Sequence, residues 1–233
     1  MWLDASVGLS DGLDFTWADR SSHHNDAAQV SPLHPTAGSD ASEGGLAYVH
    51  FSGHGDFLEL PPGFSDFSRG LTIFAKVRIA LTVRPTPNAC LFDFAAFANQ
   101  VEDAISLCRA GDTPNELLFL VRTGDASSSA VFIPAAANGV WALLEIVAGA
   151  GEPSDTAPLQ AYRDGVPLTL SAGTWTIPRA VTRTSALIGR SNRADAIDDP
   201  TGMWHGDLNT LVIYDRALEE QERNEVERNL MPH

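Results

Sequence analysis

Apolar and polar residues alternate along most of the chain with a period of two, and Gly, Pro, Asn and Asp close off the runs. Successive side chains of a strand point to opposite faces, so this pattern predicts half-buried strands rather than helices. The runs fall at 46–51, 57–60, 71–79, 89–94 and 104–108, then at 117–122, 130–133, 140–148, 159–163, 186–189 and 208–214. Short turn-rich intervals separate them, as in a sandwich or barrel. In "YRDGVPL", Asp164-Gly165 between apolar flanks suits a two-residue hairpin turn that needs positive φ. In 208–214, Leu208, Val212 and Tyr214 share one parity and Leu211 and Ile213 the other, which predicts a strand buried on both faces in mid-sheet. Only 216–230 reads as helix, with Leu218, Val226 and Leu230 loosely on one face and acidic residues early. Many strands, one late helix, no long linker and no internal repeat predict an all-β chain forming one domain over 1–233.

Charge narrows the partners. Fifteen Lys and Arg against thirty Asp and Glu give −15, a field that repels nucleic acid and anionic membrane surfaces. Cations, neutral glycans and basic protein surfaces remain open. No long uncharged apolar window predicts a membrane span. The start, "MWLDASVGLSDG", lacks a basic segment followed by an apolar run, so no secretory signal is read, and a module attached to other domains of a longer protein is expected.

The segments "VHFSGHGDFLELPP", "GLTIFAKVRI", "LFDFAAFANQVEDAISLCRAG", "LQAYRDGVPL" and "LIGRSN…GMWHGDLNTLVIYDRALEEQE" resemble, in that order, the laminin-G-like modules of the concanavalin-A-like lectin and glucanase superfamily. The opening "WLDAS…TWADRSSHHNDAAQ" is similar to that of many bacterial members. The resemblance runs from Trp2 to Leu230. It implies a jelly-roll sandwich of two antiparallel sheets with a short C-terminal helix, a last strand pairing near the first, and a helix packed across an open end. It further implies an extracellular or surface accessory module that binds glycans or other proteins.

Glucanases of this superfamily carry alternating carboxylates on one strand as nucleophile and general acid. Only "LDAS…LSDGLDF", "FSDF" and "VEDAI" bring acids close, and none is such a strand, so no enzyme is predicted. Seven histidines are present without the fixed spacing of a zinc site. The loop "ADRSSHHNDAA" offers Asp19, Asn25 and Asp26 as oxygen ligands for a structural calcium ion. The same residues also suit an Asx-turn in which Asp19 and Asn25 bond their own backbone. Against the family pattern, Ser22 stands where a Gly is common, and Asn209 or Thr210 where an acid is. A second acidic loop, Asp195, Asp198 and Asp199, reads as solvated. For a ligand, Asn192 and Arg193 offer planar hydrogen-bonding groups and Trp204 a ring for a sugar, although core filling is the commoner fate of such a Trp. Trp17, Trp141 and Trp175 carry the same two readings.

The functional expectation is a non-catalytic recognition module for carbohydrate. The alternatives are a protein-interaction or spacer domain and, after that, a divergent glycoside-cleaving enzyme. Strand parity makes a further prediction for the two cysteines. Aligning Phe92 and Phe94 with Ile105 and Leu107 on one face puts Cys90 inward and Cys108 outward, which predicts two free thiols. A bulge in either strand would reverse this.

Overall fold

The computed structural model describes residues 1–10, 14–30, 32–80, 89–98, 101–110, 116–123, 127–134, 139–193 and 202–231. Its strands begin with β1 (Trp2–Asp4), β2 (Leu9–Ser10), β3 (Thr16–Trp17), β4 (Ala27–Gln29), β5 (Thr36–Asp40) and β6 (Leu46–Ser52). Next come β7 (Leu58–Leu60), β8 (Leu71–Ile79), β9 (Cys90–Ala98), β10 (Val101–Arg109), β11 (Leu117–Thr123) and β12 (Ser127–Ile133). The last are β13 (Trp141–Ala148), β14 (Thr156–Arg163), β15 (Val166–Pro167), β16 (Thr174–Thr176), β17 (Ser185–Ile188) and β18 (His205–Tyr214), followed by helix α1 (Glu220–Leu230).

Two antiparallel nine-stranded sheets form the jelly roll. One runs β15-β14-β13-β8-β18-β6-β5, with β1 added on β18 and β16 on β14; the other runs β12-β11-β10-β9-β17-β7-β4-β3-β2. Apolar residues of one parity from both sheets, among them Val49, Phe51, Ile73, Phe92, Phe94, Phe119 and Ile146, make the core between them. The hairpin at Asp164-Gly165 has φ of 50° and 74°, the pair of positive values that a tight primed turn needs.

β18 is buried along nearly its whole length, as its two-sided apolar pattern requires. One flank is β8; on the other, His205–Leu208 pair with β6 and Thr210–Val212 pair with β1. The change of partner falls at a bulge at Asn209. The Asn209 amide donates to the Ala47 carbonyl, and its own carbonyl accepts from the Ala5 N–H. One residue, through its side chain and its backbone carbonyl, thereby joins the ends of two neighbouring strands.

The helix departs from expectation twice. It begins at Glu220 rather than Arg216 because the backbone groups of 216–218 bond elsewhere: Thr72 Oγ1 donates to the Arg216 carbonyl and accepts from the Leu218 N–H, and the Ala217 N–H donates to Arg69. It also packs on the outer face of the first sheet rather than across an open end, with Leu218, Val226 and Leu230 against Phe74, Leu143 and Val212. Arg223 reaches through this contact to Glu145, which is fully buried, at 2.6 Å.

The cysteine prediction is overturned. Cys90 and Cys108 form a disulfide. The register follows the expected alignment as far as Phe94 opposite Ile105 and Phe92 opposite Leu107, but Cys108 then faces Cys90 and Leu91 is left over. The physical cause lies in "CLF". Leu91 and Phe92 are adjacent, large and apolar, and both enter the core, which a regular strand forbids. The bulge that admits them turns Cys90 to the face Cys108 occupies.

Candidate functional site

A cleft of about 490 Å³ opens where β1, the end of β18, the 21–25 loop and the 63–67 loop meet. That size is within the range of small-ligand sites. Its chemistry comes from Trp2, Asn25, Phe64, Asp66, Tyr214 and Asp215. Alternation places the first: in "WLD", Leu3 is fully buried, so Trp2 turns outward and is 38% exposed. The Arg20 guanidinium lies 4.4 Å from the Trp2 ring centroid and pairs with Asp4 at 2.9 Å. Phe64 holds a positive φ of 50°, rare for an aromatic residue, and its ring stacks on Phe94 at 4.5 Å. Beneath it, the buried Arg183 guanidinium donates to the Phe64 carbonyl at 2.5 Å, and burial lowers its pKa to about 10. Tyr214 closes β18, and burial raises its phenol pKa.

Asp19 organises the cleft. Its carboxylate accepts from the Trp2 N–H at 2.7 Å, the Ser21 N–H and hydroxyl at 2.9 and 2.8 Å, and the Asn25 N–H at 2.9 Å. Asp26 in turn accepts from the Asp19 N–H at 2.8 Å. Of the three residues expected to hold calcium, Asp19 therefore spends its roughly four lone pairs on local donors. A calcium ion wants six to eight oxygens, and the donor set as arranged does not fit one. Among the described residues no three His, Cys, Asp or Glu side chains converge as a metal site. The Asx-turn reading holds for Asp19, through Ser21, but not for Asn25, whose side-chain amide has no hydrogen-bond partner among the described residues and lines the cleft.

The 190–205 loop is arranged for packing. Trp204 is fully buried in the core, so the reading of its ring as a sugar platform is corrected: no face is open to a ligand. Asn192 Nδ2 donates to the carbonyls of Asp93 and Ser185, and its Oδ1 accepts from the Ser185 hydroxyl. Its groups are thus taken up by β9 and β17. Arg193 is exposed, and its backbone N–H donates to the Ser191 hydroxyl at 3.1 Å. Asp195, Asp198 and Asp199 lie outside the described residues. Of the remaining tryptophans, Trp17 and Trp175 are in the core, and Trp141 is half-buried on the outer sheet face.

That face carries a second polar constellation. Trp141, Arg78, Asp207 and His50 stand directly opposite one another across β13, β8, β18 and β6. Arg78 donates to Asp207 at 2.7 Å and to Asp40, its guanidinium lies 5.0 Å from the Trp141 centroid and 5.4 Å from that of Tyr48, and His50 Nδ1 is 2.7 Å from Asp207. Hydrogen bonds from the Ser42 hydroxyl and the Trp141 indole hold the Asp40 carboxyl down to about 2. These polar groups are committed to one another, whereas in the cleft the Asn25 side-chain amide and the Asp215 carboxylate have no hydrogen-bond partner among the described residues.

No family model matches the chain, and no curated protein sequence matches it. Solved structures share its fold. A Trypanosoma rangeli sialidase in complex with sialic acid aligns with TM-score 0.61 and 16% identity over 98% of this chain and 33% of that one. Domain 4 of an extracellular arabinanase from Geobacillus stearothermophilus, in complex with arabinotriose, aligns with TM-score 0.56 and 16% identity over 83% of this chain and 81% of that one. The binding domain of botulinum neurotoxin serotype D aligns with TM-score 0.60 and 11% identity over 97% of this chain and 53% of that one. The chain thus spans about a third of the sialidase and about half of the neurotoxin domain. The class defined is a two-sheet antiparallel β-sandwich.

Proposed function

We propose that this chain is a non-catalytic carbohydrate-recognition module of the laminin-G-like kind, with its ligand site in the cleft between Trp2 and Tyr214. The observation that carries the reading is an exposed aromatic ring set beside open hydrogen-bonding groups in one cleft. Sugars offer an apolar C–H face to the ring and hydroxyls to an amide and a carboxylate, and the cleft presents Trp2, Asn25 and Asp215 for them. Domain 4 of the arabinanase, a similar fold, binds arabinotriose in its own structure.

Chemistry argues against cleavage. A glycosidase needs one carboxylic acid with a raised pKa beside a second carboxylate. Asp40 and Asp207 share the Arg78 guanidinium, and Asp40 is held low. Burial raises the Glu145 pKa, but that residue is enclosed beneath the helix with Arg223. The Cys90–Cys108 disulfide favours an oxidising compartment, in keeping with a secreted or surface protein.

A glycan array probed with the purified protein tests the reading. Saturable binding to a defined subset of glycans is expected. A blank array would contradict it and favour the protein-interaction or spacer role.

A further inference from the structure

We infer that the cleft selects glycans without acidic groups, and that Asp215 enforces the choice. The inference rests on the carbohydrate reading above and specifies its ligand class. Two carboxylates, Asp66 and Asp215, line the opening. Asp215 is exposed, with no hydrogen bond or ion pair among the described residues. Asp66 accepts from the Ser68 N–H at 2.9 Å, a bond that keeps its carboxyl below the ordinary value and so ionised.

The nearby cations offset them only in part: Arg69 acts on Asp66, and the Met1 ammonium and Arg216 act on Asp215. Arg20 is paired with Asp4 at 2.9 Å. Arg216, next to Asp215 in sequence, is held bidentate by Glu222 at 2.7 and 2.8 Å. The Met1 ammonium donates to the Ile213 carbonyl and is buried. Behind the wall sits Asp19, and the whole molecule carries −15. A ligand carboxylate, sulfate or phosphate entering here meets an excess of negative charge at close range. An uncharged sugar instead meets in Asp215 a free acceptor for its hydroxyls.

The test uses matched glycans on the same array, each with and without one sialic acid, uronic acid or sulfate group. The acidic member of each bound pair should bind about fivefold or more weakly at low salt, the factor that one like-charge contact at about 4 Å supplies even in bulk water. The gap should narrow in high salt, because exposed charges are screened. Asp215→Asn should raise the acidic-to-neutral binding ratio several-fold. That variant removes no hydrogen bond, and its unchanged melting curve would show that it folds. Equal or tighter binding of the acidic members would overturn the selectivity while leaving the carbohydrate reading intact. An unaltered ratio in Asp215→Asn would overturn the role of that residue. Binding to no glycan at all would remove the underlying reading instead.

Discussion

A single carboxylate, that of Asp19, fixes both the aromatic and the amide of the cleft by accepting from the backbone of Trp2 and Asn25. Burial alone would raise its pKa, but hydrogen bonds from the Trp2, Ser21 and Asn25 N–H groups more than offset that and leave it below the ordinary value. A carboxyl depressed in the folded state contributes stability above its unfolded pKa of about 3.9, and that contribution is lost as pH falls through the lower folded value. Asp19→Asn should therefore cost about 2 kcal/mol at pH 7. Its stability should also decline less steeply than the parent's below about pH 4. Calorimetric melts from pH 7 to 2.5 measure both effects, and superimposable curves would refute them. Since local donors fill Asp19, melting in excess chelator should match melting in calcium. A lower melting temperature in chelator would restore the calcium reading, because a native-state ligand stabilises the fold.

Among elements, the long strands were legible because period-two alternation is a direct consequence of facing a core. β8 spans Leu71–Ile79, the range its pattern predicts. The short strands β2, β3 and β4 were not read, since two or three residues hold too little periodicity to separate them from loop. The Leu91 bulge escaped for a different reason. Parity is a rule about regular strands, and a pair of adjacent core residues breaks it locally. Thiol titration of denatured, unreduced protein should accordingly find no free cysteine, and two thiols would contradict the register. Replacing both cysteines with serine should cost about 3 kcal/mol, the usual contribution of a bridge closing a loop of this length. The helix contact makes its own prediction. Arg223→Met should destabilise by about 3 kcal/mol because it strands a buried Glu145 charge. The double variant with Glu145→Leu should recover most of that in urea unfolding, and no recovery would show that packing alone docks the helix.

For the whole molecule, the candidate site illustrates what a pattern of alternation withholds. It assigns each residue a face but does not say which distant segments converge. Trp2, Asn25, Phe64 and Tyr214 come from β1, two loops and the end of β18, and they meet only because β1 pairs with β18 through Trp2 opposite Val212. Asn25, an expected oxygen ligand, does line the site, and its side-chain amide has no hydrogen-bond partner among the described residues. Trp204, chosen for its polar loop, is core, and nothing in the alternation of a ten-residue buried strand distinguishes the Trp preceding it from an exposed one. The most direct test of the account is therefore which aromatic a glycan needs. Isothermal titration with the strongest array ligand should show Trp2→Ala losing about 30-fold in affinity, as expected when an aromatic worth about 2 kcal/mol is removed from a binding site, with Trp141→Ala binding like the parent. Full affinity in Trp2→Ala, with binding abolished in Trp141→Ala, would contradict the cleft and move recognition to the outer sheet face.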